Sequence, residues 1–217
     1  SNVSTNCFDR YMDYLRDMDF PEDSIEKMIK ATNDILARCA DPNNLNNHKK
    51  NKKKGLVMGD IQSGKTANYT ALINLAADSG YKVIVLLAGM TDSLREQTQK
   101  RIDSGFIGAK SDTISSSIIN FVGVGKAENK YYAIPLTNVN SDFGKVVREN
   151  QNTNSSDFNK PLILVIKKNK SVLTQVKDYL KPGIHGITSE NILIIDDEAD
   201  NASVNTKNSD DPSIINK

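Results

Sequence analysis

One octapeptide limits what this chain can fold into more than any other stretch: Gly59-Asp60-Ile61-Gln62-Ser63-Gly64-Lys65-Thr66. It reads G-x-x-x-x-G-K-T, the pattern of a loop that cradles phosphate. Gly59 lets the chain turn sharply out of a strand, and Gly64 lets the backbone come close to an anion. The N–H groups between them converge on one concavity. Lys65 supplies a cation for outer phosphates, and Thr66 offers a hydroxyl to magnesium.

The flanks suit that pattern. Gly55 to Met58 is a short apolar run that predicts a buried strand, and Ala67 to Asp78 predicts a helix that stops at Gly80. A phosphate would then lie at a helix N-terminus, with Ala67 in the nucleotide-binding set. A second motif lies about 130 residues on. Ile192-Leu193-Ile194-Ile195 predicts a strand that delivers Asp196, Asp197, Glu198 and Asp200 at its C-terminal tip. A magnesium ion held by a phosphate loop needs an acidic partner there, directly or through water. Asp197 is assigned that role, with Asp196 sharing part of it. Glu198 is placed to orient and deprotonate an attacking water, and Asp200 to link the site to a neighbouring loop. An acidic cluster at a strand end is also how a solvated turn reads.

The remaining segments fit an α/β chain. Residues 8–18 predict a helix. Pro21 opens a second one, on which Ile25, Met28, Ile29, Thr32, Ile35, Leu36 and Cys39 share a face. Residues 43–54 are polar and rich in lysine, with Lys49, Lys50, Lys52, Lys53 and Lys54; they fit either a solvated linker or a contact with nucleic-acid phosphates. Lys82 to Ala88 is a continuous apolar run, as expected of a parallel strand covered on both faces. A helix capped by Asp92 or Ser93 comes next, to about Ile102, with Leu94, Thr98 and Ile102 on one face. Ser117 to Val124 predicts another strand, residues 125–160 mostly loop, and Pro161 to Ile166 a further strand. Lys167 and Lys168 come after it, at the end of a strand where ligands of α/β sheets collect, and a helix then runs from about Ser171 to Leu180. Thr91, Ser93, Arg95 and Gln97 stand where the loop and helix of helicase-like motors touch a nucleic-acid backbone, and that resemblance makes them candidates for such a contact, with Lys167 and Lys168 beside them. A plain polar helix face explains the first four equally well.

Charge is unevenly spread. Residues 1–48 hold 5 basic and 9 acidic side chains, residues 49–195 hold 21 and 12, and residues 196–217 hold 2 and 6. The basic middle is compatible with a polyanion such as DNA. No apolar run is long enough for a membrane helix, so no membrane partner is expected. The two cysteines, Cys7 and Cys39, fit small core residues of a reducing cytoplasm. His48 and His185 have no metal-ligand spacing. The first residue is not Met, and Ser213 to Lys217 resembles the first turn of a helix. The expectation is a fragment of a longer protein.

Strand–GxxxxGKT, strand–Gly-x-Thr and strand–Asp-Glu-Ala-Asp in this order resemble the first RecA-like lobe of superfamily-two helicases. Within that class Gly59 to Tyr69, Ala88 to Gln99, Ile166 to Val172, Ile195 to Asn205 and Pro212 to Asn216 are similar to the Z-one domain family. That bacterial family carries an endonuclease label and is linked with DNA methyltransferases in restriction-type defence. The resemblance implies ATP as nucleotide and magnesium as metal, with Lys65, Thr66, Asp197 and Glu198 in the roles above and Gln62 and Ser63 lining the loop. It implies DNA as partner of the whole protein and a second RecA-like lobe outside these residues. The sequence holds no Pro-Asp…Asp/Glu-x-Lys nuclease pattern. The expected architecture is a RecA-like P-loop NTPase, a doubly wound, mostly parallel sheet of about five strands. Residues 1–46 form a helical appendage, 47–54 a linker and 55–217 the ATPase lobe. Three functions fit: a DNA-stimulated ATPase, a nuclease with an accessory ATPase, and a nucleotide-dependent interaction switch.

Overall fold

The computed structural model describes residues 6–43, 53–58, 64–144, 159–181 and 191–197 of the 217. Four parallel strands form one sheet: β1 (Val83–Ala88), β2 (Ile134–Pro135), β3 (Leu162–Ile166) and β4 (Ile192–Asp197), in spatial order β2-β3-β1-β4. The helices are α1 (Cys7–Asp17), α2 (Glu22–Leu36), α3 (Lys65–Asp78), α4 (Asp92–Ile102) and α5 (Lys170–Tyr179).

β1 explains why this sheet has two covered faces. All six of its residues are buried. Side chains alternate along a strand, so Ile84, Leu86 and Ala88 face one layer, where Tyr69 and Ile73 of α3 and Ile102 of α4 complete the core. Val83, Val85 and Leu87 face the other, where Val176 of α5 packs with Leu164 and Ile166 of β3. An uninterrupted apolar run is what a strand buried on both faces requires.

α1 and α2 cover the outer side of α3. Phe8, Tyr11, Met12 and Leu15 of α1 and Ile25 and Met28 of α2 form a third cluster with Ala71 of α3. α3 is therefore buried almost all round, from Tyr69 to Asn74 and at Ala76. Asp78 adds a polar tie, accepting from the backbone N–H groups of Cys7 and Phe8 at 2.9 and 2.8 Å. These two N–H groups open α1 and have no acceptor within it.

The strand inventory departs from expectation in three places. Gly55 to Met58 forms no strand: Leu56, Val57 and Met58 are 73%, 64% and 86% exposed. Ser117 to Val124 forms none either. Ile118 points to solvent, and the segment makes only one isolated antiparallel bridge, Ala109 to Phe121. Just beyond it the backbone is pressed against its neighbours. A Cβ on Gly125 would lie 2.0 Å from the Gly108 carbonyl oxygen, closer than side chains on a regular strand allow. Conversely, β2 arises within a segment read as loop. It is short because a side chain takes over its ladder. The Leu136 N–H donates to the Ile163 carbonyl at 2.9 Å, but the Val165 N–H then donates to the Thr137 hydroxyl, also at 2.9 Å.

Thr137 starts a buried relay. Its hydroxyl donates to Gln99 Oε1 at 2.8 Å, and Gln99 Nε2 donates to Asp103 Oδ1 at 2.9 Å. Asp103 Oδ2 accepts from both the backbone N–H and the hydroxyl of Ser111 at 3.0 Å. β3, α4 and the turn after α4 are thereby tied through polar groups that all find partners, as buried polar groups must.

Candidate functional site

The parallel strands end together, and their C-terminal tips build the site. Ala88 of β1 pairs in register with Asp197 of β4, and Leu87 with both Asp196 and Ile166. Side-chain alternation sends the two adjacent carboxylates to opposite faces. Asp197 falls on the α3 side, where Lys65 Nζ stands 3.5 Å from its Oδ1. Asp196 falls on the other side, where Lys168 Nζ meets its Oδ1 at 2.6 Å. Sharing between Asp196 and Asp197 is therefore not what the geometry offers: Asp196 belongs to a structural ion pair whose lysine side chain is fully buried.

Lys65 and Thr66 begin α3. Gly64 precedes them with φ of 68°, in the left-handed region where glycine carries no steric penalty. The first-turn N–H groups of α3 are thus turned towards the end of the sheet, the end of a helix that attracts anions. Ala67 lies in that first turn, packed partly against the α1 and α2 cluster. Gly59, Gln62, Ser63, Glu198 and Asp200 lie outside the described residues.

A cavity of about 190 Å³ opens at this place, lined by Lys65 and Asp197 and, from α4, by Gln97, Thr98 and Arg101. Arg101 Nη1 donates to the Thr66 hydroxyl at 2.9 Å. Beneath them Tyr69 is 8% exposed, and its hydroxyl makes no well-formed hydrogen bond although Thr66 and Thr98 flank it. Burial pushes the Tyr69 phenol up from its ordinary pKa, and the Asp197 charge adds to the shift. Tyr69 belongs to the core layer behind the cavity, beside Thr66 and Thr98. A larger hollow of about 460 Å³, bordered by Leu36, Cys39 and Tyr81 at the ends of α2 and α3, contains none of these residues.

One hydroxyl and one carboxylate beside a lysine suit magnesium, which takes one or two protein oxygens and fills its shell with water and phosphate. Among the described residues no group of three or more His, Cys, Asp or Glu side chains forms a protein-only cage.

The candidates for a nucleic-acid contact are placed differently from one another. Thr91 is the N-cap of α4, its hydroxyl accepting from the Leu94 N–H at 3.3 Å; it, and not Asp92 or Ser93, starts the helix. Ser93 is exposed in the first turn. Arg95 is 2% exposed, and its guanidinium donates to the carbonyls of Asn138 and Val139 at 2.8 and 2.7 Å. It anchors a loop from inside and is not at a surface where a nucleic acid could reach it. Lys168 is likewise buried with Asp196. Lys167 pairs with Asp92 at 2.7 Å, and its ammonium holds that carboxyl below its usual range. Lys53 Nζ donates to the Cys39 carbonyl at 3.1 Å; Lys49, Lys50 and Lys52 lie outside the described residues.

Arg101 is the site residue that the sequence does not announce. A basic residue in the last turn of a helix reads as a partner for the helix dipole, and only the seating of α3 and α4 on one face of the sheet brings it to Thr66. The chain matches no family model, no curated protein and no solved structure.

Proposed function

We propose that this chain is a P-loop ATPase lobe of RecA-like type, which binds ATP with magnesium and hydrolyses it. The observation that carries the proposal is the meeting of Lys65 and Asp197, 132 positions apart in the sequence, within 3.5 Å at the C-terminal end of a parallel sheet. A phosphate-loop lysine and a strand-tip carboxylate need that proximity, because a metal–triphosphate must touch both. In this reading the first turn of α3 and Lys65 bind the phosphates. Thr66 and Asp197 would hold the metal, which would supply charge neutralisation at the outer phosphates. Glu198 takes the proton from the attacking water.

The resemblance to the Z-one domain family extends the proposal to a bacterial, cytoplasmic, DNA-directed motor acting in restriction-type defence. Its second lobe would supply the other wall of a DNA cleft, and a DNA methyltransferase would be its partner in the system. Among the described residues no helix is long and apolar enough to cross a membrane.

Calorimetry with ATP and magnesium tests the nucleotide site. Lys65→Ala should abolish binding. Glu198→Gln should keep it and slow hydrolysis by about 10²–10⁴-fold. Unchanged affinity in the first variant would refute the phosphate-loop assignment.

A further inference from the structure

We propose that Arg101 reads the terminal phosphate, so that the site distinguishes a triphosphate from a diphosphate through a cation supplied by α4. The inference rests on the phosphate-loop reading and adds a residue to it.

Three observations converge. Arg101 and Lys65 line the same cavity as the carboxylate of Asp197. Those three are the charged groups among the lining residues, so the wall carries +1 with Arg101 and zero without it. A polyanion is attracted by the first arrangement and not by the second. Second, the guanidinium is already at Thr66, 2.9 Å from its hydroxyl. In a phosphate loop that hydroxyl serves the metal bridging the outer two phosphates. Arg101 therefore stands on the side of the terminal phosphate and not beside the sugar or the base. Third, Arg101 is exposed and projects from the last turn of a helix whose other face is fixed by Arg95, Thr98, Gln99 and Ile102. The buried face of the helix anchors its base, and its exposed guanidinium is tied to the Thr66 hydroxyl.

A guanidinium and a divalent cation repel one another when both lie against one hydroxyl oxygen. Were Thr66 to take up a metal, the Arg101 side chain would leave it, and an outer phosphate would offer the anionic oxygens for it to move to. Its planar fork suits two oxygens of one phosphoryl group. A diphosphate lacks that group, so Arg101 has nothing comparable to move to.

The test is calorimetric titration of the 217-residue chain with ATP and with ADP, each with magnesium, for the wild type, Arg101→Ala and Arg101→Lys. Thermal melting confirms that each variant is folded. Arg101→Ala should weaken ATP about tenfold or more, the size of a lost charge-assisted contact, and ADP less than about twofold. Arg101→Lys should recover part of the ATP affinity, since it restores charge without the fork. Equal losses for the two nucleotides, or no loss, overturn the inference alone. Lys65→Ala, which should weaken both nucleotides, is the control for the underlying reading. A wild type that binds neither nucleotide, or a Lys65→Ala variant that binds both normally, overturns that reading as well.

Discussion

Replacing Lys168 by Met separates a structural carboxylate from a functional one. Lys168 and Asp196 form an ion pair at 2.6 Å, with the lysine side chain fully buried and the aspartate side chain 28% exposed. Two unit charges about 4 Å apart attract by about 4 kcal/mol at an effective dielectric near 20. The variant loses that attraction, but it no longer has to desolvate an ammonium, and water can reach the stranded Asp196. The net loss should be about 2–3 kcal/mol, below the roughly 3–5 kcal/mol expected when both partners are wholly buried. In a chain of this size that lowers the melting temperature by about 4–12 °C. Asp196→Asn should be the worse change of the two, because it leaves the fully buried partner charged. The double variant should recover at least half of the larger loss. Urea unfolding followed by circular dichroism measures all three. A Lys168→Met loss under about 0.5 kcal/mol, or an Asp196→Asn milder than it, would refute the assignment of Asp196 as a brace.

Two further outcomes are expected. Burial pushes the Asp103 carboxyl from 3.8 up to about 6, against the hydrogen bonds from Gln99 and Ser111 that favour its ionised form. Its folded state thus holds the proton more tightly than the unfolded state. The stabilisation is complete below about pH 4 and is lost as pH rises through about 6, at most about 3 kcal/mol across that window. The stability difference between wild type and Asp103→Asn should therefore shift in favour of the wild type as pH falls from 8 to 4. A pH-independent difference contradicts it. Arg95→Ala should cost about 2–4 kcal/mol, since two half-buried carbonyls lose charge-assisted donors and a buried side chain is removed, while any DNA affinity of the folded protein, measured by anisotropy below its melting temperature, stays unchanged. A large, selective loss of DNA binding without destabilisation would place Arg95 at a surface after all.

Much of the framework is legible in the residues, because β1 and β3 are uninterrupted apolar runs, β4 opens on one, and the sequence before α3 carries the phosphate-loop pattern. What escapes is whatever depends on partners distant in sequence. β2 has two residues, too few for any periodicity, and exists because β3 offers it an edge. Gly55 to Met58 is apolar enough for a strand, yet hydropathy cannot say whether a neighbour is present to pair with it. The buried face of α4 is Arg95, Thr98, Gln99 and Ile102, at ideal helical spacing but mostly polar. A search for apolar stripes finds Leu94, Thr98 and Ile102 instead and leaves Arg95 outside. Arg95 and Gln99 are buried because each meets a defined partner: Asn138 and Val139 for the first, the Thr137 and Asp103 relay for the second. At the site, the phosphate-loop pattern and the acidic strand tip identify Lys65, Thr66 and Asp197 as a set. The patterns favour Asp197 but still leave Asp196 a share in its role, and they do not bring in Arg101.

The pleat of β4 makes residue count as consequential as residue type. Ile194 is 62% exposed and looks expendable, and deleting it would leave the tip sequence intact. Yet every residue on one side of the cut would rotate by half a turn relative to the other. If the upstream register held, the first acid would take the place of Ile195, opposite Leu86 and two residues short of the tip, and the second would take the place of Asp196 beside Lys168. The chain would keep both carboxylates and yet set neither of them against Lys65, so length variants of this strand should be scarcer than its tolerance of substitution at Ile194 would suggest.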